Sequence, residues 1–199
     1  MINQNWIILG IAIQFLGGLR YLIDTFKGNA KPNSVSFFMW SLASFIAFLA
    51  EVKQGVGLPS LMTFFVSFIP FTILIASFVN KKAYWKLGPF DFICGALSLL
   101  GLIFWGITKI GNVAIAFSIA SDGLASLPTI VKSYYHPETE SSFAYLASSI
   151  LAIITILTIT NWNFATYAFP IYILIANLLI YVLVKFKVGR VGGKNYNAA

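Results

Sequence analysis

The 199-residue chain is too apolar to fold as a soluble protein. Hydrophobic residues make up 59% of it, charged residues make up only 10%, and the mean hydropathy is +0.85. A soluble domain carries roughly 25% charged residues, so this chain could not cover its own surface in water. The composition predicts one integral membrane domain. The net charge of +7 then belongs to the ends of helices and is not a footprint for nucleic acid.

Several chemical classes are excluded by the residue types. Cys94 is the single cysteine and lies in an apolar run, which excludes a disulfide framework. His136, Glu138 and Glu140 share a short polar turn, which we interpret as a solvated loop rather than a metal site. No nucleophile with its base and no phosphate-binding glycine loop occurs, so we expect neither an enzyme nor a bound cofactor or metal. The first apolar run lacks the basic start of a signal peptide, and we expect it to remain as a helix.

Seven apolar stretches are long enough to cross a bilayer, which takes about 20 residues. They are predicted at 6–25, 35–52, 59–79, 88–107, 111–132, 142–160 and 164–184. An odd number of spans places the two ends of the chain on opposite sides of the membrane. The predicted class is therefore an all-α membrane protein with seven transmembrane helices.

Basic residues predict the orientation of these helices. One set of connections, with the tail 185–199, holds ten of them: Lys27, Lys31, Lys81, Lys82, Lys86, Lys132, Lys185, Lys187, Arg190 and Lys194. The other set holds only Lys53 and Lys109. The positive-inside rule makes the first set cytoplasmic, with the N-terminus outside. The sequence has no N-glycosylation sequon, which is compatible with a bacterial inner membrane. We expect a multi-pass protein of the cell membrane.

An internal duplication is the strongest pattern in the sequence. The segments 17–44 and 122–149 share residues at a constant offset of 105: Gly18/Gly123, Leu19/Leu124, Leu22/Leu127, Lys27/Lys132, Pro32/Pro137, Ser36/Ser141, Phe38/Phe143 and Ser44/Ser149. The segment from Pro70 to Ser77 matches that from Pro170 to Asn177 at an offset of 100. The first repeat is predicted at 6–79 and the second at 111–184. The helix at 88–107 matches neither and is a connector, which lets both repeats keep the same orientation.

This arrangement resembles the SWEET sugar transporters and the wider PQ-loop family. SWEETs are built from parallel repeats related by an axis along the membrane normal. The run from Leu127 to Lys132 looks like the proline–glutamine motif with its following lysine, although Thr129 stands in place of the glutamine. Thr139 to Phe143 looks like the serine-rich start of the next helix. The resemblance implies two three-helix bundles and a solute path between them.

Asp122 is the first candidate functional residue. It lies near the middle of the fifth predicted helix, where a charged side chain costs a few kcal/mol. It is expected either to face the solute path as a protonatable or solute-binding carboxylate, or to form an ion pair with Arg20. Arg20 and Asp24 are spaced i, i+4 and share one helix face. They are expected to form an inner gate or, alternatively, a local pair at the interface.

Further candidates occupy matched positions of the two repeats. Ser77 and Asn177 are equivalent, and the resemblance implies that Asn177 contributes to the solute site. Trp40 and Tyr145 also match, and their rings are expected to stack on a solute, to close the inner side, or to belong to an interfacial aromatic belt. Three prolines inside predicted helices are candidate hinges: Pro70, Pro128 and Pro170.

The sequence thus predicts a carrier for a small polar solute, most simply a sugar, which works by alternating access. If Asp122 titrates, transport is expected to be coupled to protons. The lipid bilayer surrounds the protein. Two alternatives remain: a receptor of the same fold that binds or sorts a ligand without transport, and a carrier of amino acids or vitamins. One chain is sufficient to enclose the path, and a homo-oligomer is compatible with it.

Overall fold

The computed structural model describes residues 2–83, 85–108 and 110–191, and every helix longer than four residues in these ranges is one of seven. They are α1 (Trp6–Phe26), α2 (Ser34–Lys53), α3 (Ser60–Val79), α4 (Pro89–Thr108), α5 (Gly111–Tyr135), α6 (Ser142–Thr158) and α7 (Phe164–Phe186). Each predicted boundary lies within three residues of the observed one. Regular structure in the described ranges is entirely helical.

Five of the helices are long and apolar enough to cross a membrane: α1, α2, α3, α5 and α7. The other two helices are apolar but shorter. Helix α6 has 17 residues, and the apolar segment of α4 that is described without interruption is Pro89–Leu100. Large apolar side chains cover much of the outer surface, as a bilayer requires. The chain is therefore a membrane protein, as its composition predicts.

The connections between helices gather at two ends of the bundle. Lys31 N donates to Thr139 O (2.9 Å) and Asn80 Nδ2 donates to Phe26 O (2.7 Å), so the connections 27–33, 80–88 and 136–141 lie together. We call this the lysine end. The opposite end carries the connections 54–59 and 159–163, and there Ile2 N donates to Leu157 O (3.1 Å). Lys109, Lys194 and the tail from residue 192 onward lie outside the described residues.

The six helices other than α4 pack in a closed ring, and the matched sequence segments group them as α1–α3 and α5–α7. Helix α3 packs against both α1 and α2, and α7 packs against both α5 and α6. The two groups meet along two seams, one between α1 and α6 and the other between α2 and α5. Helix α4 lies on α5 and also contacts α2, so it covers the second seam.

Side-chain caps determine where several helices begin and end. The Asn33 side chain accepts from the backbone N–H groups of Val35 and Ser36 and so starts α2. Asn163 and Thr166 form a reciprocal capping box at the start of α7. Helix α5 runs three residues beyond its predicted end and stops at Tyr135, because Pro137 disfavours a helical conformation for the residue before it.

Small residues bring α1 close to α6. A Cβ atom placed on Gly17 would lie 2.5 Å from the Cβ of Ala147, and one on Gly10 would lie 2.7 Å from Leu151 Cδ1. A side chain at Gly17 would require movement of α6, whereas one at Gly10 would first displace the side chain of Leu151. Glycine and alanine therefore allow the close contact that stabilises helix pairs in lipid through van der Waals packing.

Candidate functional site

A cavity of about 60 Å³ lies where the two groups of helices meet. All six helices of the two groups contribute to its lining: Gln14, Tyr21, Phe37, Trp40, Val66, Ile69, Pro70, Ile73, Asp122, Ser126, Ala144, Tyr145, Ser148, Ile173, Ala176, Asn177 and Ile180. The wall is mostly apolar, with a few polar groups, as is usual for a small-molecule site. The volume holds only a few water molecules, so a sugar ring requires the helices to separate.

Asp122 is the charged group of this central cavity. Tyr172 Oη donates to its Oδ2 at 2.5 Å and Ser44 Oγ donates to its Oδ1 at 3.3 Å. The side chain is 3% exposed, and both partners are neutral hydroxyls. Tyr172 is on α7 and Ser44 is on α2, so the carboxyl group of Asp122 joins the two groups of helices. Sequence analysis did not select Tyr172, because a tyrosine in an apolar helix carries no signal of its partner.

Arg20 does not pair with Asp122. Its Nε atom donates to Asp24 Oδ2 at 3.2 Å, its side chain is 62% exposed, and it lies on the surface at the lysine end. The expected Arg20–Asp122 ion pair is therefore wrong for this structure. The pairing of Arg20 with Asp24 follows their i, i+4 spacing. Asp24 also accepts from Ser141 Oγ at 3.0 Å, which ties α1 to the start of α6.

The matched polar pair on α3 and α7 occupies different surroundings. Asn177 lines the central cavity, and its Nδ2 donates to Ile173 O at 3.0 Å within its own helix. Ser77 does not line the cavity; its hydroxyl donates to Leu74 O at 2.7 Å within its own helix. The two matched sequence positions therefore do not present the same polar group to the cavity.

Aromatic rings form a continuous row across the lysine side of the cavity. Ring centroids are 5.0 Å apart between Trp40 and Phe37, 5.3 Å between Phe37 and Tyr21, and 6.3 Å between Tyr21 and Tyr145. Trp40 Nε1 donates to Ser126 Oγ at 3.0 Å, across the seam between α2 and α5. Trp40 and Tyr145 are buried, so an interfacial aromatic belt does not account for them.

A buried charge cluster lies beyond this aromatic row, toward the lysine end. Lys132 Nζ and Glu140 Oε1 are 2.6 Å apart, with side chains 1% and 0% exposed. Tyr21 Oη and Tyr145 Oη both donate to Glu140 Oε2, at 2.6 and 2.7 Å. Lys132 Nζ also donates to Lys31 O. We call Lys132, Glu140, Tyr21 and Tyr145 the Glu140 cluster.

The Glu140 cluster corrects the prediction of a solvated loop. His136 and Glu138 are exposed as expected, at 40% and 46%, but Glu140 is buried. The repeat aligns Glu140 with Val35 at the offset of 105, but this mismatch does not predict burial. An acid next to the start of a helix is also favoured by the helix dipole when it is exposed.

The three prolines lie inside helices, as predicted. Pro70 is within α3, Pro128 within α5 and Pro170 within α7. Each lacks the N–H that would bond to the carbonyl four residues earlier, so each helix has a local weak point. Pro70 also lines the central cavity, whereas the other two do not.

An apolar layer bounds the cavity toward the opposite end. Val66 and Ile173 line the cavity and belong to a buried cluster that also contains Ile7, Met62 and Phe169. One hydrogen bond crosses the groups beside this layer, from Ser148 Oγ to Gln14 Oε1 at 2.9 Å. We call this cluster the apolar layer.

No family model matches the chain, and comparisons with curated proteins and with solved structures give no match either. The functional assignment therefore depends on the geometry of the cavity and on the sequence pattern.

Proposed function

We propose that the protein is a membrane transporter for a small polar solute, of the SWEET or PQ-loop type, which works by alternating access. The observation that carries the proposal is the central cavity itself. It is lined from both groups of helices and holds the buried Asp122 together with the amide of Asn177. A site between two units that can move against each other is what alternating access requires.

The packing of the helices supports a parallel duplication. Helix α3 packs against α1 and α2, and its counterpart α7 packs in the same way against α5 and α6. The seam of α1 with α6 likewise corresponds to the seam of α5 with α2. In this interpretation 6–79 and 111–184 are the repeats, and α4 is the connector that gives both the same orientation.

Two barriers separate the site from the two sides of the membrane. The Glu140 cluster and the aromatic row lie toward the lysine end, and the apolar layer lies toward the opposite end. Transport in this mechanism opens one barrier while the other stays closed. Pro70, Pro128 and Pro170 are the points at which α3, α5 and α7 bend.

The lining favours an uncharged or weakly polar solute with hydroxyl groups. Asp122 accepts hydrogen bonds, Asn177 both donates and accepts, and the Trp40 ring offers an apolar face of the kind on which sugar rings stack. Because Arg20 lies outside the cavity, the structure offers no cation there for the carboxylate of an amino acid. A sugar or similar metabolite is the favoured class, and amino acids and vitamins are the second.

The distribution of basic residues supports a cytoplasmic lysine end. Eight lysines in the described ranges lie at or next to it, among them Lys81, Lys82 and Lys86, whereas Lys53 lies next to the opposite end. The N-terminus is then outside and the C-terminus inside the cell membrane. One chain contains both groups of helices and the cavity, so a monomer suffices for the mechanism.

Counterflow tests the proposal. Liposomes that contain the purified protein are loaded with an unlabelled sugar, amino acid or vitamin. Uptake of the same labelled solute is then measured with and without a pH gradient. We expect exchange of at least one solute and at least a tenfold loss in Asp122→Asn. Glu138→Gln, in the exposed loop, is the matched control and should exchange as the parent does.

The outcome separates transport from reception. Thermal stabilisation by a solute without exchange would overturn transport in favour of a receptor of the same fold. Unchanged exchange in Asp122→Asn would contradict the role of that carboxyl group.

A further inference from the structure

A second buried acid lies outside the central cavity. Glu51 is in the last turn of α2, near the opposite end, and is 2% exposed. Its Oε1 atom has no hydrogen-bond partner, and no ion pair in the described residues includes it. A charged carboxylate buried without a counter-charge costs several kcal/mol, whereas the neutral acid does not. The site therefore suits a carboxyl group that carries a proton.

Among the described residues, which do not include Lys109, the helices that pack against this part of α2 place no cation beside Glu51. Helix α3 has no charged residue, and its nearest polar group is the Thr63 hydroxyl beside the carboxyl of Glu51. On α5 the nearest titratable group is Asp122, and on α4 the described titratable groups, Asp91 and Cys94, lie at the lysine end. Helix α7 presents tyrosines, and Lys185 is in its last turn at the lysine end. Lys53, on α2 itself, is exposed to solvent.

Two buried hydroxyls lie on helices that pack against α2, at depths between those of Glu51 and Asp122. Ser118 Oγ has no hydrogen-bond partner among the described residues, and Thr63 Oγ1 lies beside the carboxyl group of Glu51. Ser118 lies one turn from Asp122 along α5, on the side of the opposite end. Ser44, which bonds Asp122, is seven residues or two turns from Glu51, about 10 Å along the axis of α2. Buried polar groups without partners are rare in native proteins, and such a hydroxyl can bond to a water molecule or take part in proton transfer.

A surface cavity lies next to the end of α2 that carries Glu51. Its volume is about 380 Å³, and its lining includes Gln54, Gly55 and Val56, the residues that directly follow α2. Gln54 N and Val56 N both donate to the backbone carbonyl of Glu51. The backbone of Glu51 is thus within about one turn of this surface cavity, while Asp122 lies deeper in the bundle.

We propose that Glu51 is a second proton-binding site, through which the opposite side of the membrane is coupled to Asp122. A proton from water in the surface cavity bonds to Oε1 of Glu51 and is later released to water or passed along the buried hydroxyls toward Asp122. The coupling part of this inference rests on the proposed transport function. The binding of the proton does not.

Infrared spectroscopy measures proton binding directly. The parent protein in liposomes is titrated with acid, and the carbonyl stretch of protonated carboxyl groups is recorded without any solute. We expect two buried contributions, of which Glu51→Gln loses one and Asp122→Asn loses the other. Glu138→Gln should keep both. An unchanged carbonyl band in Glu51→Gln would overturn the proposal.

A conservative variant guards against loss of folding. Glu51→Asp keeps a carboxyl group in a shorter side chain, and its band should shift in frequency without being lost. If Glu51→Gln does not fold, this shift supports the proposal, and an unshifted band overturns it.

The coupling is measured with a solute that exchanges in counterflow. Acid on the side of the opposite end should stimulate exchange in the parent protein, and in Glu51→Gln this stimulation should be at least threefold smaller. Full stimulation would overturn coupling even if the infrared band is lost. If no solute exchanges, the transport function and its coupling both fail, while the infrared result still decides whether Glu51 binds a proton.

Discussion

The two barriers of the central cavity are built from different chemistry. The Glu140 cluster closes the lysine end with one buried ion pair and two tyrosine hydroxyls, all in direct hydrogen bonds. The apolar layer closes the opposite end with side chains such as Phe169 and Met62, and its crossing bond is the neutral one from Ser148 to Gln14. A charge cluster loses its bonds abruptly when its parts separate, whereas apolar side chains can slide and repack. We therefore expect the lysine end to open as a switch and the opposite end to open gradually.

The largest effect is expected from breaking the ion pair. Glu140→Gln leaves the ammonium group of Lys132 buried without its counter-charge, which should lower the free energy of unfolding by about 3–5 kcal/mol. Thermal unfolding in detergent measures this change. Replacing both partners, Lys132→Met with Glu140→Leu, should recover much of the stability. If the single variant were as stable as the parent, the pair would not hold this end closed.

The next effect is expected in the apolar layer. Phe169→Ala removes a fully buried ring and should destabilise the protein by about 3 kcal/mol through lost packing. It should also make the cavity accessible from the opposite end. A cysteine at Ala176, in a Cys94→Ser background, reports this access by reaction with a membrane-impermeant thiol reagent. Faster labelling from the lysine end would contradict the assignment of the apolar layer.

A smaller effect is expected from one tyrosine of the Glu140 cluster. Tyr21→Phe removes one hydrogen bond to a charged group, worth about 1.5–3 kcal/mol, and leaves the aromatic contact with Phe37 in place. The Ala176→Cys reporter should then be labelled faster from the lysine end and at the parent rate from the opposite end. Equal acceleration from both ends would indicate general loosening.

The smallest effect is expected from the exposed pair. Arg20→Gln breaks its bond to Asp24, but the arginine side chain is largely in solvent, where such pairs contribute about 0–1 kcal/mol. Thermal stability and labelling should match the parent. A strong change in labelling from the lysine end would make Arg20 part of the gate.

Periodicity and composition were sufficient to predict the helices. Apolar stretches with polar ends fixed every helix to within three residues, and the matched segments pointed to the positions of Trp40, Tyr145 and Asn177 at the cavity. Helix boundaries and matched positions depend on local sequence, so a single chain is enough to predict them.

Long-range partners could not be predicted in the same way. Tyr21 and Glu140 are 119 residues apart, and Tyr172 meets Asp122 across 50 residues. Which hydroxyl faces a buried acid depends on the rotation of each helix about its axis, and apolar helices that are buried on one side and lipid-covered on the other carry little record of that rotation. For the same reason the sequence left two acids open for Arg20, and of these the structure has the local pair with Asp24.

Helix α4 makes the two seams of the bundle unequal. It contacts α5 and α2 together, and Asn33 Nδ2 at the start of α2 donates to Asp91 Oδ1 on α4 at 2.5 Å. The seam between α1 and α6 has no covering helix and is held by the close approach of Gly17 to Ala147 and by two hydrogen bonds, Ser148 to Gln14 and Ser141 to Asp24. Because α4 covers the other seam, relative rotation of the two groups should pivot about α4. The widest gap would then open between α1 and α6, where lipid chains could reach the central cavity from the side.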